Sequence, residues 1–230
     1  MHGARRLDAG QTRPTIREVV VGLVTMALVG SGGALILIRV GLNPKHLGLI
    51  LSAWSGIAGF AAFGTAWLVR RRPLQNYGLR ATTIRWLLLG TVAGLIAFAV
   101  KTAVVLLTTY VAGTPGNPQT IYAAGAVGDT GSLILTTLFL GVLTPLGEEF
   151  LFRGVVTNGL LQIGRVAGVV GGALVFALAH GINIVFPVAL LLGLVAGELF
   201  RRSGSVWPAV GAHIVYNLPT IPLMLLAQSS

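Results

Sequence analysis

Cysteine is absent from this chain of 230 residues, which excludes disulfide staples and thiolate metal sites. Charge is scarce too. Asp, Glu, Lys and Arg make up 10% of the residues, where an ordinary globular domain has about a quarter. Acidic side chains are the rarest, six against sixteen Lys and Arg, and the formal net charge is +10. With 54% hydrophobic residues and a mean hydropathy of +0.85, a soluble fold of this size could not cover itself with polar groups. The composition therefore reads as an all-α, polytopic transmembrane helical bundle, with too little chain left over for a sizeable soluble domain. The 32 glycines suit close helix packing in lipid.

Seven apolar stretches are expected to cross the membrane, with six or eight as the alternatives. They run over Val19–Ile38, Leu47–Val69, Trp86–Val111, Ser132–Leu161, Val166–His180, Ile184–Phe200 and Val206–Ala227. The fifth and sixth are short or interrupted, by Gly181 and Pro187. This divides the chain into a tail (1–18), N-terminal transmembrane helices (19–131) and a core (132–230). The first apolar run has no small-residue cleavage site after it and is read as a retained helix. Lys and Arg alternate with the spans. The tail (Arg5, Arg6, Arg13, Arg17), the loop carrying Arg70 to Arg85, Arg165, and the pair Arg201 and Arg202 fall on one side. The other side has only Arg39 and Lys45, and its longest loop, Ala112 to Gly131, carries no positive charge. The expected topology is N-terminus cytoplasmic and C-terminus outside. Positive charge at span ends fits an anionic lipid surface, so the lipid bilayer rather than nucleic acid is the expected partner.

Inside the spans, polar groups are expensive and ask for a reason. The fourth span holds Glu148, Glu149 and Arg153. The i,i+4 spacing puts Glu149 and Arg153 on one face, where they can pair, and turns Glu148 about 100° away. His180 ends the fifth span, and His213 and Asn217 share a face of the seventh, with Gly211 and Ala212 beside them to admit another backbone. Each of these has a bland reading as neutralisation or interhelical hydrogen bonding. Together they supply a carboxylate, two imidazoles and a carboxamide, enough to polarise a water and hold an oxyanion. Upright, straight helices would set His213 about 10 Å and His180 about 20 Å from the cytoplasmic face. Convergence would then require tilt or a longer fourth helix. Lys101 is read as structural, pairing with Glu198 or snorkelling to a headgroup.

The ordered set Glu148-Glu149-x-x-x-Arg153, Phe176-x-x-x-His180 and His213-x-x-x-Asn217 resembles the three motifs of the CAAX-protease and bacteriocin-processing (CPBP, or Abi) family. The run Arg201 to Pro208 and the stretch Asn76-Tyr77-Gly78-Leu79-Arg80 are similar to that family as well. The resemblance implies an intramembrane endopeptidase acting on a membrane-associated peptide or protein. It implies that Glu148 activates water with His180 assisting, and that His213 and Asn217 hold the oxyanion. Glu149, Arg153 and Phe176 match supporting positions. No cofactor is expected. The alternative is a zinc enzyme using Glu148, His180 and His213, although His-Glu-x-x-His is absent. A further alternative is a non-catalytic bacteriocin-immunity or scaffold protein. The composition points to a bacterial plasma membrane.

Overall fold

Helices account for the regular structure throughout the described residues, 13–113 and 120–228, of this computed structural model. The tail arginines Arg5 and Arg6 lie outside them. We number the helices α1 (Ile16–Arg39), α2 (Pro44–Arg70), α3 (Ile84–Ala112), α4 (Thr120–Ala126), α5 (Thr130–Leu160), α6 (Ala167–Ala179), α7 (Val185–Ser203), α8 (Trp207–Asn217) and α9 (Thr220–Gln228). Helices stand at the positions of the seven expected spans. Four of them are long and apolar enough to cross a membrane: α1, α2, the Ile84–Thr108 part of α3, and α5. Leu, Ile and Val side chains are exposed along α1 and α3, as a lipid-facing surface requires.

The starts of these helices are written in short-range chemistry. Asn43 accepts from the His46 N–H ahead of Pro44, which suits the first helical position. Asp129 accepts from the Ser132 N–H at the start of α5, and Lys45 donates to the same carboxylate at 2.6 Å. Asp129 therefore ties α5 to the start of α2. Burial then arranges the helices around a core that includes Phe63, Leu151, Phe152, Phe176, Leu192 and Tyr216.

Close crossings fix two of the helix pairs. A Cβ on Gly147 of α5 would collide with the carbonyl oxygen of Gly56 on α2, and one on Gly59 would collide with Gly147. On α3, Gly90 and Gly94 meet the backbone of Pro208 and Ala212 of α8 in the same way. Absence of side chains at these points lets the main chains touch. Ala212 is approached as expected. Gly211 has open space beside it, and the glycines that admit α8 sit on α3.

The loop between α2 and α3 is a junction. The buried Glu18 of α1 accepts from the Tyr77 hydroxyl at 2.6 Å, from the Thr15 N–H at 2.7 Å and from Arg72 at 3.1 Å. Asn158 of α5 donates to the Asn76 carbonyl, and the Val206 N–H donates to the Gly78 carbonyl. The run 76–80 thus ties α1, the end of α5 and the start of α8 to one loop.

Two elements differ from the sequence expectation. The stretch read as a loop between α3 and α5 contains α4, which buries Ala123, Gly125 and Ala126 and sets Gly125 against the backbone of Gly48 and Leu49 of α2. The last span, read as continuous over Val206–Ala227, breaks at Leu218 and Pro219 into α8 and α9. Pro219 brings no N–H to the helical ladder at the break, and Pro222 falls in the first turn of α9, where none is required.

Candidate active site

Glu148 and Glu149 lie in an α-helical turn, Thr144–Glu149, between two π-helical stretches of α5, Phe139–Leu143 and Phe150–Thr157. Pro145 has no N–H for the carbonyl four residues back, and a wider turn at that point accommodates the loss. The two carboxylates are adjacent in sequence and opposite in circumstance.

Glu149 is fully buried and pairs with Arg153, whose Nη2 donates to Oε1 at 3.1 Å while Nε lies 2.8 Å from Oε2 as an ion-pair contact. The i,i+4 pair read from the sequence is present. Oε1 is also 2.9 Å from Nδ1 of His213. A carboxylate can only accept, so Nδ1 carries the hydrogen and Nε2 of His213 is turned the other way. On α6, Nδ1 of His180 is 2.9 Å from the Phe176 carbonyl, also an acceptor, which leaves Nε2 of His180 free in the same sense. His180 sits at the end of α6, just before Gly181 turns the chain at φ +81°.

Glu148 faces a cavity of about 270 Å³ that His180, His213 and Asn217 also line. Its Oε1 accepts from the Ser55 hydroxyl at 2.6 Å. Its Oε2 is buried without a hydrogen-bond partner and lies 4.0 Å from Nε2 of His180 and 3.9 Å from Nε2 of His213. Three acceptor-type atoms therefore converge on one point, with spacing that a water or substrate oxygen can bridge. The straight-helix estimate of depth put His180 and His213 apart; the packed helices bring both to Glu148. Asn217 donates from Nδ2 to the Leu140 carbonyl at 3.1 Å and keeps its second N–H.

One aromatic ring underlies the group. Phe176 has its centroid 4.7 Å from that of His180 and 5.9 Å from that of His213, and the Arg153 guanidinium lies 4.7 Å over its face. A single side chain thus fixes both imidazole planes and shields the ion pair.

Ser55, Tyr122 and Lys101 also line the cavity, and sequence reading missed them as site residues. Ser55 gave one weak signal, a hydroxyl one position before Gly56. Tyr122 lies on α4, in the stretch read as a loop. Lys101 was visible as a charge inside a span, but its partners were not. It donates to the Tyr216 carbonyl and the Thr220 hydroxyl rather than to Glu198, which Arg165, Arg201 and Arg202 neutralise.

Zinc fits this arrangement poorly. Tetrahedral ligands about 2.0–2.1 Å from zinc stand roughly 3.4 Å apart, and the gaps from Glu148 to the two imidazoles are 4.0 and 3.9 Å. Among the described residues, no group of three or more His, Asp or Glu is arranged to hold a metal ion.

Comparison with family models gives a match. Residues 130–219 match the family described as type II CAAX prenyl endopeptidase Rce1-like. The matched stretch runs from α5 through α8 and contains Glu148, Glu149, Arg153, Phe176, His180, His213 and Asn217. It is the same stretch that carries the three sequence motifs. Ser55, Lys101 and Tyr122 lie outside it. Comparison with curated proteins and with solved structures found no match. Together with the apolar helices, the family match supports a membrane protease acting on a peptide or protein.

Proposed function

We propose that the chain is an intramembrane endopeptidase of glutamate type, in which Glu148 activates the attacking water. The observation that carries this reading is the unpartnered, buried Oε2 of Glu148 facing Nε2 of both His180 and His213. A water at that point donates one hydrogen to Oε2 and is oriented by His180. Its oxygen attacks the scissile carbonyl carbon while its proton passes to Glu148. The oxyanion so formed accepts from the free N–H of Asn217 and from Nε2–H of His213. Because Glu149 already holds the Nδ1 hydrogen, His213 donates from Nε2 in that step with a hydrogen on each ring nitrogen. Collapse breaks the C–N bond, and Glu148 returns its proton to the leaving amine. Ser55 keeps the carboxylate in one orientation throughout.

The remaining partners follow from the same reading. The substrate is a membrane-associated peptide or protein, reached within the bilayer. The arginine distribution supports a cytoplasmic N-terminus in a bacterial plasma membrane.

Peptide cleavage by the protein in lipid, compared with Glu148→Gln and each measured with and without a strong zinc chelator, tests the proposal. The expected result is cleavage abolished by the substitution and untouched by chelator. Loss with chelator and recovery with zinc would replace the mechanism with a metal one. Unchanged cleavage in Glu148→Gln would remove Glu148 from the chemistry.

A further inference from the structure

A groove of about 690 Å³ opens between α3 and α7 and shares no lining residue with the cavity that holds Glu148. Its rim is basic and its walls are apolar. Arg85 and Trp86 come from the first turn of α3, and Arg202 comes from the last turn of α7. Leu89 and Ala93 continue the wall along α3, and Leu194 and Leu199 form the facing wall on α7. Arg85 to Ala93 and Leu194 to Arg202 each span eight helical steps, so the apolar walls run roughly 12 Å below the arginines. Leu88 and Val92 beside the groove are exposed, as on a surface that meets lipid.

The rim holds more positive charge than its one carboxylate uses. Glu198 accepts from Arg201 through Nε and Nη2, both at 2.7 Å, from Arg202 through Nε at 2.6 Å, and from Arg165 at 3.3 Å. Arg202 is thereby oriented by its Nε, and its terminal nitrogens have no acceptor among the described residues. Arg85, on the opposite wall, pairs with no described carboxylate. Glu18, Asp129, Glu148, Glu149 and Glu198 all have other partners. Among the described residues no hydrogen bond or ion pair joins α3 to α7, so two arginines line one groove without a shared anion. Because α3 begins and α7 ends at this rim, their end charges oppose and the side chains set the sign.

We propose that this groove binds an anionic phospholipid, with its phosphate between Arg85 and Arg202 and an acyl chain along the apolar walls. A guanidinium presents its donors in a planar fork that matches phosphate oxygens. Trp86 stands at the depth where headgroup gives way to chain, a place tryptophan favours. Arg85, Arg165, Arg201 and Arg202 against Glu198 leave the rim positive, which disfavours the choline cation of a zwitterionic headgroup. In the topology read from the arginines this rim is cytoplasmic, where basic pockets between transmembrane helices take anionic headgroups. The bound lipid supplies the polar link between α3 and α7 that the chain itself lacks. Glu198 is the positioning residue, since it aims Arg202. The site does not depend on the protease reading.

The measurement is tryptophan fluorescence of the full chain in phosphatidylcholine nanodiscs. The minority lipid, brominated on its acyl chains, is either phosphatidylglycerol or phosphatidylcholine at the same fraction. Bromine quenches a tryptophan that it touches, and the part of the quenching lost in Trp86→Phe reports this groove. The brominated phosphatidylglycerol is expected to be preferred there by about fivefold for each arginine. Arg85→Gln should lower the preference about fivefold, and Arg85→Lys should keep part of it. Arg70→Gln, at an exposed position ending α2, should leave it unchanged. Equal quenching by the two lipids, or a preference that survives Arg85→Gln, overturns the proposal. A loss in Arg70→Gln as large as that in Arg85→Gln assigns the preference to general surface charge and overturns the site. Displacement by soluble glycerol 3-phosphate overturns the assignment to lipid, because the acyl chains would then contribute nothing. Arg202→Gln should act like Arg85→Gln. If it does not fold, Arg85→Gln decides the matter, since Arg85 leaves no described carboxylate behind.

Discussion

Ser55 on α2 donates a 2.6 Å hydrogen bond to Oε1 of Glu148 on α5, and so assigns the two oxygens of that carboxylate to different tasks. One is held and the other faces the cavity. Ser55→Ala should therefore lower kcat/KM by roughly ten- to a hundredfold, since a hydrogen bond to a charged group contributes about 1.5–3 kcal/mol and each 1.36 kcal/mol is tenfold. The melting temperature in detergent should move little, because Ser55 belongs to no buried ion pair. A rate within twofold of the parent would show that the carboxylate needs no such support.

Glu149 answers differently. Glu149→Gln strips the countercharge from Arg153, which has no exposed surface, and should destabilise the protein by about 3–5 kcal/mol. Thermal unfolding in detergent reads this directly. Replacing both partners, Glu149→Leu with Arg153→Met, should recover most of the stability because no buried charge is left unpaired. Turnover should stay low in the double variant, since Nδ1 of His213 has lost its acceptor.

Far from the cavity, Tyr77 should matter for folding and not for chemistry. Burial pushes the pKa of its hydroxyl above the ordinary tyrosine value, and the hydrogen bond it donates to Glu18 pushes it further. The protonated form is thus bound more tightly by the folded state. Its contribution is complete at neutral pH and is lost only as pH climbs past the ordinary tyrosine value of 10.0 toward the higher folded value. Tyr77→Phe should cost about 1–3 kcal/mol at pH 7 by leaving Glu18 short of a donor, with kcat unchanged. The deficit relative to the parent should narrow in strongly alkaline buffer.

Gly147→Ala should be the most damaging change of one methyl group. The new Cβ would run into the Gly56 carbonyl, and overpacking of this kind costs about 1–3 kcal/mol or more because backbone must move. Glu148 is the next residue, so the fraction that folds should have lost cleavage as well. A control at Gly64, which has open space beside it, should be silent.

How far the site could be read beforehand depended on what each residue reveals in isolation. Glu148, Glu149, Arg153, His180, His213 and Asn217 stand out because polarity inside an apolar span needs a cause, and i,i+4 spacing alone predicted the Glu149–Arg153 pair. Ser55 and Tyr122 do not stand out. A serine or tyrosine is cheap in such a helix, and their place at the cavity depends on which helices cross and where. The convergence of His180 and His213 on Glu148 was likewise invisible to a calculation from straight, upright helices. α5 contains π-helical stretches, and His180 sits at a helix end followed by a left-handed glycine. The break at Pro219 was written in the sequence, yet apolar continuity argued past it, and with it went the partners of Lys101.

The crossing of α2 and α5 works mechanically as a hard stop. Backbone rests on backbone at Gly56 and Gly147, with no side chain between them to be squeezed or re-posed. A stop of this kind resists compression and does nothing against separation. Lateral pressure from the surrounding lipid therefore cannot push the reactive carboxylate closer to Ser55 than it already stands. Tension is borne by other parts, the Thr144 hydroxyl on the Ser52 carbonyl at 3.2 Å and the Ser55 hydroxyl on Glu148 itself. One of the tethers beside this crossing is thus the same bond that aims the carboxylate, so strain that opens the crossing is felt at the reacting group.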